Sequence, residues 1–209
     1  RKCAESILDL DRPIDVLIHN AGVFHTKCRL TGDGIESVFQ VNHLSSFLLN
    51  RLLADRLISE NRARILYVNS EGHRFALAGI HLKDLKWRRH IYTGLKSYGA
   101  AKTAQLLTME RFSEMFASSS VTINAMHPGN VVSNIGENNG PAYRQMKKTF
   151  VLSAAKEPEI SAQALHYLAL SDELTGISGK FFNLTTEELP APHVLDRSAI
   201  DPVWEKSLE

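Results

Sequence analysis

The order of apolar and polar positions along the chain predicts strands and helices in alternation. Four short apolar runs are typical of strands buried on both faces of a parallel sheet, at 14–20, 63–70, 121–126 and 179–184. Segments with helical spacing of apolar residues precede or separate them, at 1–10, 34–60, 97–117 and 161–170. This alternation predicts an α/β fold, a doubly wound parallel sheet of the Rossmann-like kind. Because no internal repeat or Pro/Ser-rich linker divides the chain, residues 1–209 are predicted to form one domain.

Two helical segments carry the clearest apolar stripes. The stripe within 97–117 consists of Leu106, Met109, Phe112 and Phe116. The stripe within 34–60 is predicted to consist of Val41, Leu44, Leu48 and Leu52, with Leu49, Leu53 and Leu57 beside it. We expect both stripes to face the core. The stretch 71–96 is predicted to be irregular, and 134–156 to be a loop with a short helix that covers the site.

Composition and charge exclude several classes of function. With 44% apolar residues, the chain is not disordered, and a formal net charge of +1 predicts no nucleic-acid partner. The nine histidines are scattered, so no dedicated metal site is expected. No apolar run approaches the roughly 20 residues that a membrane-spanning helix needs. Cys3 and Cys28 are interpreted as reduced thiols of a cytoplasmic protein.

One pair of side chains can perform acid/base chemistry. Tyr98 and Lys102 are four residues apart, which places them on one face of a helix. Lowering the pKa of a tyrosine from about 10 to near neutrality costs on the order of 4 kcal/mol. A cation about 4 Å away supplies roughly that amount at an effective dielectric constant near 20. The pair is therefore sufficient to form a phenolate that gives or takes a hydroxyl proton.

The spacing alone does not single out this pair. Three of the five tyrosines have a lysine four residues later: Tyr92 with Lys96, Tyr98 with Lys102, and Tyr143 with Lys147. Tyr92 is predicted to lie in the irregular stretch and Tyr143 in a loop. Only Tyr98 opens a long helical segment, followed by three small residues that let a ligand approach closely. The alternative is that Tyr98 and Lys102 are an exposed helix pair without a catalytic role.

Ordered motifs along the chain resemble those of a known family. They are Asn20-Ala21-Gly22, 30–36 (L-T-G-D-G-I-E), 39–44 (F-Q-V-N-H-L), 65–70 (I-L-Y-V-N-S), Tyr98-x-x-x-Lys102, His127-Pro128-Gly129 and 179–183 (G-K-F-F-N). In this order they resemble the short-chain dehydrogenase/reductases. The spacer of 28 positions between Ser70 and Tyr98 is similar to that of the retinol-dehydrogenase-like and WW-domain-oxidoreductase-like group.

The resemblance implies roles for four residues. Tyr98 would be the general acid/base, and Lys102 would lower its pKa and hold the nicotinamide ribose. Ser70 would hydrogen-bond the substrate oxygen, and Asn42 would place a water molecule that relays protons. The alternatives are an ordinary polar strand end for Ser70 and a kinked helix for Asn42.

The resemblance also implies a cofactor site. Its residues would be Asn20, Ala21 and Gly22 beside the adenine, and Pro128, Gly129, Val131 and Ser133 near the nicotinamide, together with Tyr98 and Lys102. Ser133 stands where the family more often has threonine, and Asn69 where it usually has the first of two serines. The expected cofactor is NADP, with NAD as the alternative.

The expected reaction is hydride transfer between the nicotinamide and a carbonyl or alcohol. By resemblance the substrate is apolar, such as a retinoid, steroid or lipid aldehyde, and a homodimer would form through the helices beginning near Gly34 and Ser97. The alternatives are a non-catalytic binding or regulatory protein on a degenerate dehydrogenase fold, and an extended-type epimerase or dehydratase, which usually carries a larger C-terminal substrate domain.

A phosphate-binding loop is missing from the sequence. No G-x-G-x-x-G or T-G-x-x-x-G-x-G run occurs, and the segment 31–34 (T-G-D-G) has no strand before it. The resemblance places that loop before residue 1, so the first β-α-β strands, roughly 70 residues, would lie outside this chain. We therefore expect the strand at 14–20 to be an exposed edge and this chain alone to bind cofactor poorly.

Overall fold

The computed structural model describes residues 1–76, 79–150 and 155–209. Within them, one sheet has the strand order β1-β2-β3-β4-β5. The strands are β1 (Val16–His19), β2 (Arg64–Val68), β3 (Thr122–His127), β4 (Phe181–Asn183) and β5 (Thr186–Glu187). The first four pair in parallel and β5 pairs antiparallel to β4. β1 lies at the end of the sheet, where the Ile18 side chain is 40% exposed.

Helices connect the strands in the predicted alternation. They are α1 (Lys2–Leu8), α2 (Ser37–Phe39), α3 (Ser45–Glu60), α4 (Gly94–Phe116), α5 (Pro141–Phe150), α6 (Glu159–Leu170) and α7 (Ile200–Leu208). Part of the predicted loop at 134–156 is thus helical in α5, and its residues 151–154 lie outside the described part of the chain. α7 and β5 were not predicted. In the described residues, no helix combines the length and apolar character of a membrane span.

Apolar residues pack against both faces of the sheet. On one face, Ile65 and Ile123 pack with Phe112 of α4 and other residues of α3 and α4. On the other face, Leu66 and Met126 pack with residues of α6. Successive residues of β2 thus enter different cores, as strands buried on both faces require. Helices on both faces confirm the doubly wound α/β fold.

The apolar stripe predicted for α4 is confirmed, but the one predicted for 34–60 is wrong in part. Leu48 and Leu52 are 38% and 39% exposed, while Phe47, Leu53 and Leu57 are buried. The physical reason is a π-helical turn at Gln40–Leu44, which separates α2 from α3. The wider turn inserts a residue and rotates everything after it relative to a regular helix.

The C-terminal helix completes the core on one side. Trp204 of α7 packs edge-on against Phe47 of α3 and Phe112 of α4, with both ring-centroid distances 4.9 Å. These parts of α3 and α4 are therefore covered within the chain. A homodimer through these two helices stays a prediction, and it would have to use their other faces.

A half-buried histidine, His19, and a fully buried one, His43, predict that the fold loses stability in acid. Burial lowers the pKa of His19 to about 4, and that of His43 to about 3. Because each folded-state pKa lies below the unfolded value, the unfolded chain takes up protons first as the pH falls below about 6.5. We expect His19 alone to reduce the free energy of unfolding by about 2 kcal/mol between pH 7 and pH 5, with His43 adding to the same trend.

Urea unfolding at the two pH values measures this effect. His19→Gln should remove its share of the pH dependence, whereas His166→Gln, at an exposed position, should leave the dependence unchanged. An identical pH dependence in the His19→Gln variant and the parent protein would contradict the prediction.

Candidate active site

The ends of three parallel strands bring the predicted site residues together. Asn20-Ala21-Gly22 follows β1, Asn69-Ser70 follows β2, and Pro128-Gly129 follows β3. Since these strands are parallel neighbours, their carboxyl ends lie at one edge of the sheet. Open α/β sheets bind ligands at this edge.

Asn42 joins the loop after β1 to the π-helical turn. Its amide oxygen accepts a hydrogen bond from the Val23 N–H at 2.8 Å, and its amide nitrogen donates to the Val23 carbonyl at 2.9 Å. The Asn42 carbonyl itself accepts from the Gln105 side chain at 3.1 Å. The helix is therefore irregular at Asn42, where it forms a π-helical turn, and the Asn42 side chain fastens a neighbouring loop to that turn.

Ser70 and Tyr98 lie beside each other. The Ser70 hydroxyl oxygen accepts a hydrogen bond from the Gly72 N–H at 3.0 Å and caps a 3-10 turn at Glu71–Phe75. Gly72 faces the Tyr98 ring so closely that a Cβ atom there would lie 2.6 Å from the ring. Burial raises the pKa of Tyr98, and hydrogen bonding with Ser70 opposes that shift.

Lys102 is buried next to this pair. Its ammonium donates to the Val68 carbonyl at 2.7 Å and lies 5.7 Å from the centroid of the Tyr98 ring. Burial lowers the pKa of Lys102 to about 8, so the side chain still carries its proton at neutral pH. The sequence argument assumed a cation about 4 Å from the phenol. In this structure the Lys102 ammonium instead donates to the Val68 carbonyl at the end of β2. Burial is the largest influence on the pKa of Tyr98 and raises it.

Asn69 and Gln105 connect these groups. The Asn69 amide nitrogen donates to the Lys102 carbonyl at 3.0 Å and to the Gln105 side-chain oxygen at 2.9 Å. The Asn69 oxygen accepts from the Ser70 N–H at 2.8 Å. Sequence reasoning missed Gln105, although a buried glutamine between Ala104 and Leu106 is a signal: a polar group there needs partners.

Two aromatic side chains, Phe24 and Tyr143, lie beside Tyr98. Phe24 stacks on Tyr143 at 5.6 Å between ring centroids and contacts Tyr98 edge-on at 5.8 Å. Asn139 holds this arrangement, because its side-chain oxygen accepts from the Thr26 N–H at 2.7 Å and its amide donates to the Phe24 carbonyl at 2.8 Å. Tyr143 was expected in a loop, but it lies in α5. Tyr143 of the rival pair thus stacks beside Tyr98, whereas the Lys147 ammonium donates to the Ser133 and Ile135 carbonyls.

The segment after β3 has fixed backbone contacts. Gly129 has a left-handed backbone, with φ of 77°. Val131 forms a parallel bridge with Lys156, and the Ser133 carbonyl accepts from the buried Lys147 ammonium at 2.6 Å. This segment therefore runs past the sheet edge in a defined position.

Gly99 lets α4 approach the 3-10 turn after Ser70. A Cβ atom at this position would lie 2.9 Å from the Gly72 carbonyl oxygen and 3.0 Å from the Ala76 nitrogen, both backbone atoms. An exposed helix position gains about 1 kcal/mol from Gly→Ala, but overpacking costs about 1–3 kcal/mol. We expect Gly99→Ala to lower the free energy of unfolding by about 1–2 kcal/mol in a denaturant titration.

The matched control is Gly32→Ala. A Cβ atom at Gly32 would meet nothing within 4 Å, so this variant should unfold like the parent protein. A Gly99→Ala variant that is more stable than the parent would show that α4 has room to move.

Comparisons with known proteins agree with the fold and the order of the motifs. A family model described as enoyl-(acyl carrier protein) reductase matches residues 1–184. Human retinol dehydrogenase 13 is 34% identical over 212 residues, covering 99% of this chain and 63% of that protein. The chain thus spans less than two thirds of the length of that relative.

Solved structures show the same architecture. A crystal structure of an uncharacterised protein from Mycobacterium paratuberculosis has a TM-score of 0.70 at 25% identity, covering 99% of this chain and 70% of that one. A structure of 4-hydroxyisoleucine dehydrogenase complexed with NADH and succinate has a TM-score of 0.62 at 21% identity, covering 87% of this chain and 71% of that one. At that identity the second likeness supports the fold alone.

Proposed function

The chain belongs to the short-chain dehydrogenase/reductase family, and from this premise we propose that the protein transfers a hydride between a nicotinamide cofactor and a carbonyl or alcohol. The observation that carries the proposal is the convergence of Ser70, Tyr98 and Lys102 at the carboxyl edge of the parallel sheet. A phenol, a hydroxyl and a buried ammonium are the groups that such a reaction requires for its proton and its developing charge.

We assign the proton transfer to Tyr98. In the direction of reduction, its hydroxyl donates a proton to the substrate oxygen, while Ser70 hydrogen-bonds the same oxygen. The Lys102 ammonium stabilises the phenolate that remains, because a buried charge acts through a lower effective dielectric constant than water. Asn69 and Gln105 keep the backbone of Ser70 and Lys102 in place. We propose that Asn42 places the water molecule that returns the proton from solvent.

We propose that the residues at the sheet edge hold the nicotinamide cofactor. Lys102 would hold the ribose hydroxyls, the segment 128–133 would meet the nicotinamide, and Asn20-Ala21-Gly22 would lie near the adenine. The cofactor, when bound, supplies or accepts the hydride. We propose NADP as the cofactor, with NAD as the alternative.

We propose an apolar carbonyl or alcohol as the substrate. Phe24 and Tyr143 place aromatic surface beside Tyr98, which suits retinoids, steroids or lipid aldehydes. The name of the human relative, a retinol dehydrogenase, supports the same class. We also propose a cytoplasmic location, since Cys3 and Cys28 are exposed free thiols.

An absorbance assay of the natural full-length protein tests this proposal. Reduced cofactor should be consumed with retinaldehyde or a long-chain aldehyde, and faster with NADPH than with NADH. A small polar aldehyde of the same concentration is the substrate control, and it should react more slowly. No turnover with any carbonyl, from a folded protein that binds cofactor, would favour the non-catalytic alternative.

A further inference from the structure

A second cleft lies outside the candidate active site. It has a volume of about 420 Å³. Three parts of the chain line it: Ile35 and Leu44, the segment 82–89, and the end of α7. Its apolar lining comes from Ile35, Leu44, Leu82 and Leu85, and its basic lining from Lys83, Lys86, Arg88, Arg89 and Lys206. We refer to this site as the basic cleft. None of its lining residues belongs to the proposed hydride-transfer site.

Both acidic side chains that line the basic cleft are already engaged. Asp84 accepts hydrogen bonds from the backbone N–H groups of Arg88 and Arg89, at 2.8 and 2.9 Å, and from the His90 ring. Glu209 pairs with Lys206. In the part of the chain that the structure describes, the other four basic side chains form no ion pair with a protein carboxylate. Positive charge therefore converges here, in a chain whose formal net charge is only +1.

The segment that carries these cations is held in place. The buried Asp84 carboxylate fixes the backbone of both arginines, and His90 stacks on His81 at 3.8 Å between ring centroids. Trp87 has a left-handed backbone with φ of 52°, which is costly for a bulky residue. Its ring contacts His81 at 5.5 Å and Tyr92 at 5.2 Å. A preorganised segment loses less conformational entropy when a ligand binds.

We infer that the basic cleft binds an anionic amphiphile, a small molecule that joins a phosphate or carboxylate group to an apolar chain. The volume falls within the range of about 300–1,000 Å³ that is typical of ligand pockets. The aliphatic side chains bury an apolar chain, and the unpaired lysines and arginines neutralise the head group. The four aliphatic side chains are partly buried and pack against the core around Val38 and Leu107, so they form an apolar floor beneath the charged rim.

Calorimetric titration with decyl phosphate, below its micelle concentration, tests the inference. The parent protein should bind it saturably, and the affinity should fall as salt is added. The double variant Lys83→Glu/Lys86→Glu should bind at least tenfold more weakly. The matched control, Lys2→Glu/Lys27→Glu, reverses two exposed charges outside the cleft and should bind like the parent.

Further titrations distinguish a small amphiphile from free phosphate and from a lipid surface. Inorganic phosphate should bind much more weakly than decyl phosphate, and Leu82→Asn should weaken only the latter. Equal binding of inorganic phosphate, binding only to vesicles of phosphatidylserine, or no binding at all would each overturn the inference. Arg88→Gln/Arg89→Gln serves as a milder variant if the charge reversal impairs folding, which circular dichroism reports. Because binding is the readout, the result does not depend on whether the protein catalyses hydride transfer.

Discussion

Replacing Tyr98 by phenylalanine is expected to lower kcat/KM for carbonyl reduction by about 10²–10⁴-fold, the usual contribution of a positioned acid or base. The substitution removes one oxygen atom and keeps the ring that packs against Gly72 and Phe24. Cofactor affinity and thermal stability should therefore change little. Loss of the rate constant with unchanged binding is the signature of a group that acts in the transition state.

Tyr92→Phe is the matched control for this experiment. Tyr92 also has a lysine four residues later, but its hydroxyl donates to the His25 carbonyl at 2.9 Å and is not part of the proposed site. The control should retain the parent kcat/KM within a few fold. Full activity of the Tyr98→Phe variant would contradict the proposed acid/base role and would revive the non-catalytic alternative.

Replacing Glu36 by alanine is expected to lower the free energy of unfolding by about 3–5 kcal/mol, because it leaves several buried donors without an acceptor. The Glu36 carboxylate is fully buried and accepts hydrogen bonds from the Val38 and Phe39 N–H groups, at 3.0 and 2.9 Å. It also accepts from the Ser97 hydroxyl at 2.6 Å. One carboxylate thus caps α2 and fastens the first turn of α4, directly before Tyr98.

Urea unfolding of a graded set of variants measures this contribution. Ser97→Ala should cost about 1–2 kcal/mol, since it removes one hydrogen bond to the carboxylate. Glu205→Ala, at an exposed position of α7, should stay within about 0.5 kcal/mol of the parent. A Glu36→Ala variant within about 1 kcal/mol of the parent would show that other groups replace the cap.

Much of the site follows from sequence because several of its groups lie at strand ends, while Tyr98 and Lys102 share one face of a helix. Buried strands are readable as apolar runs, and the residue after each run falls at the same sheet edge once the strands are parallel. Ser70 and Tyr98 are accordingly neighbours in the structure, as the ordered motifs imply. The helical spacing of apolar residues likewise located the apolar stripe of α4 without help from tertiary contacts.

The features that sequence reasoning missed involve partners far apart in the chain. Gln105 bonds to the Asn42 carbonyl, 63 positions away, and Asn139 bonds to Thr26, 113 positions away. Periodicity reports only neighbours along one element, so it carries no signal for such pairs. The π-helical turn at Gln40–Leu44 is a similar case, since it shifted the buried face of α3 away from Leu48 and Leu52.

The sequence by itself therefore determined the class of fold and the family, and it supplied the candidate catalytic residues. Those properties are local, because they depend on apolar spacing, strand ends and short motifs. Only the tertiary structure decided the surroundings of the site residues and their pKa values. Burial sets the pKa values of Tyr98 and Lys102, and the Val68 carbonyl holds the lysine. The basic cleft likewise forms only in the folded chain, where the 82–89 segment, which carries four of its five cations, packs beside Ile35, Leu44 and the end of α7.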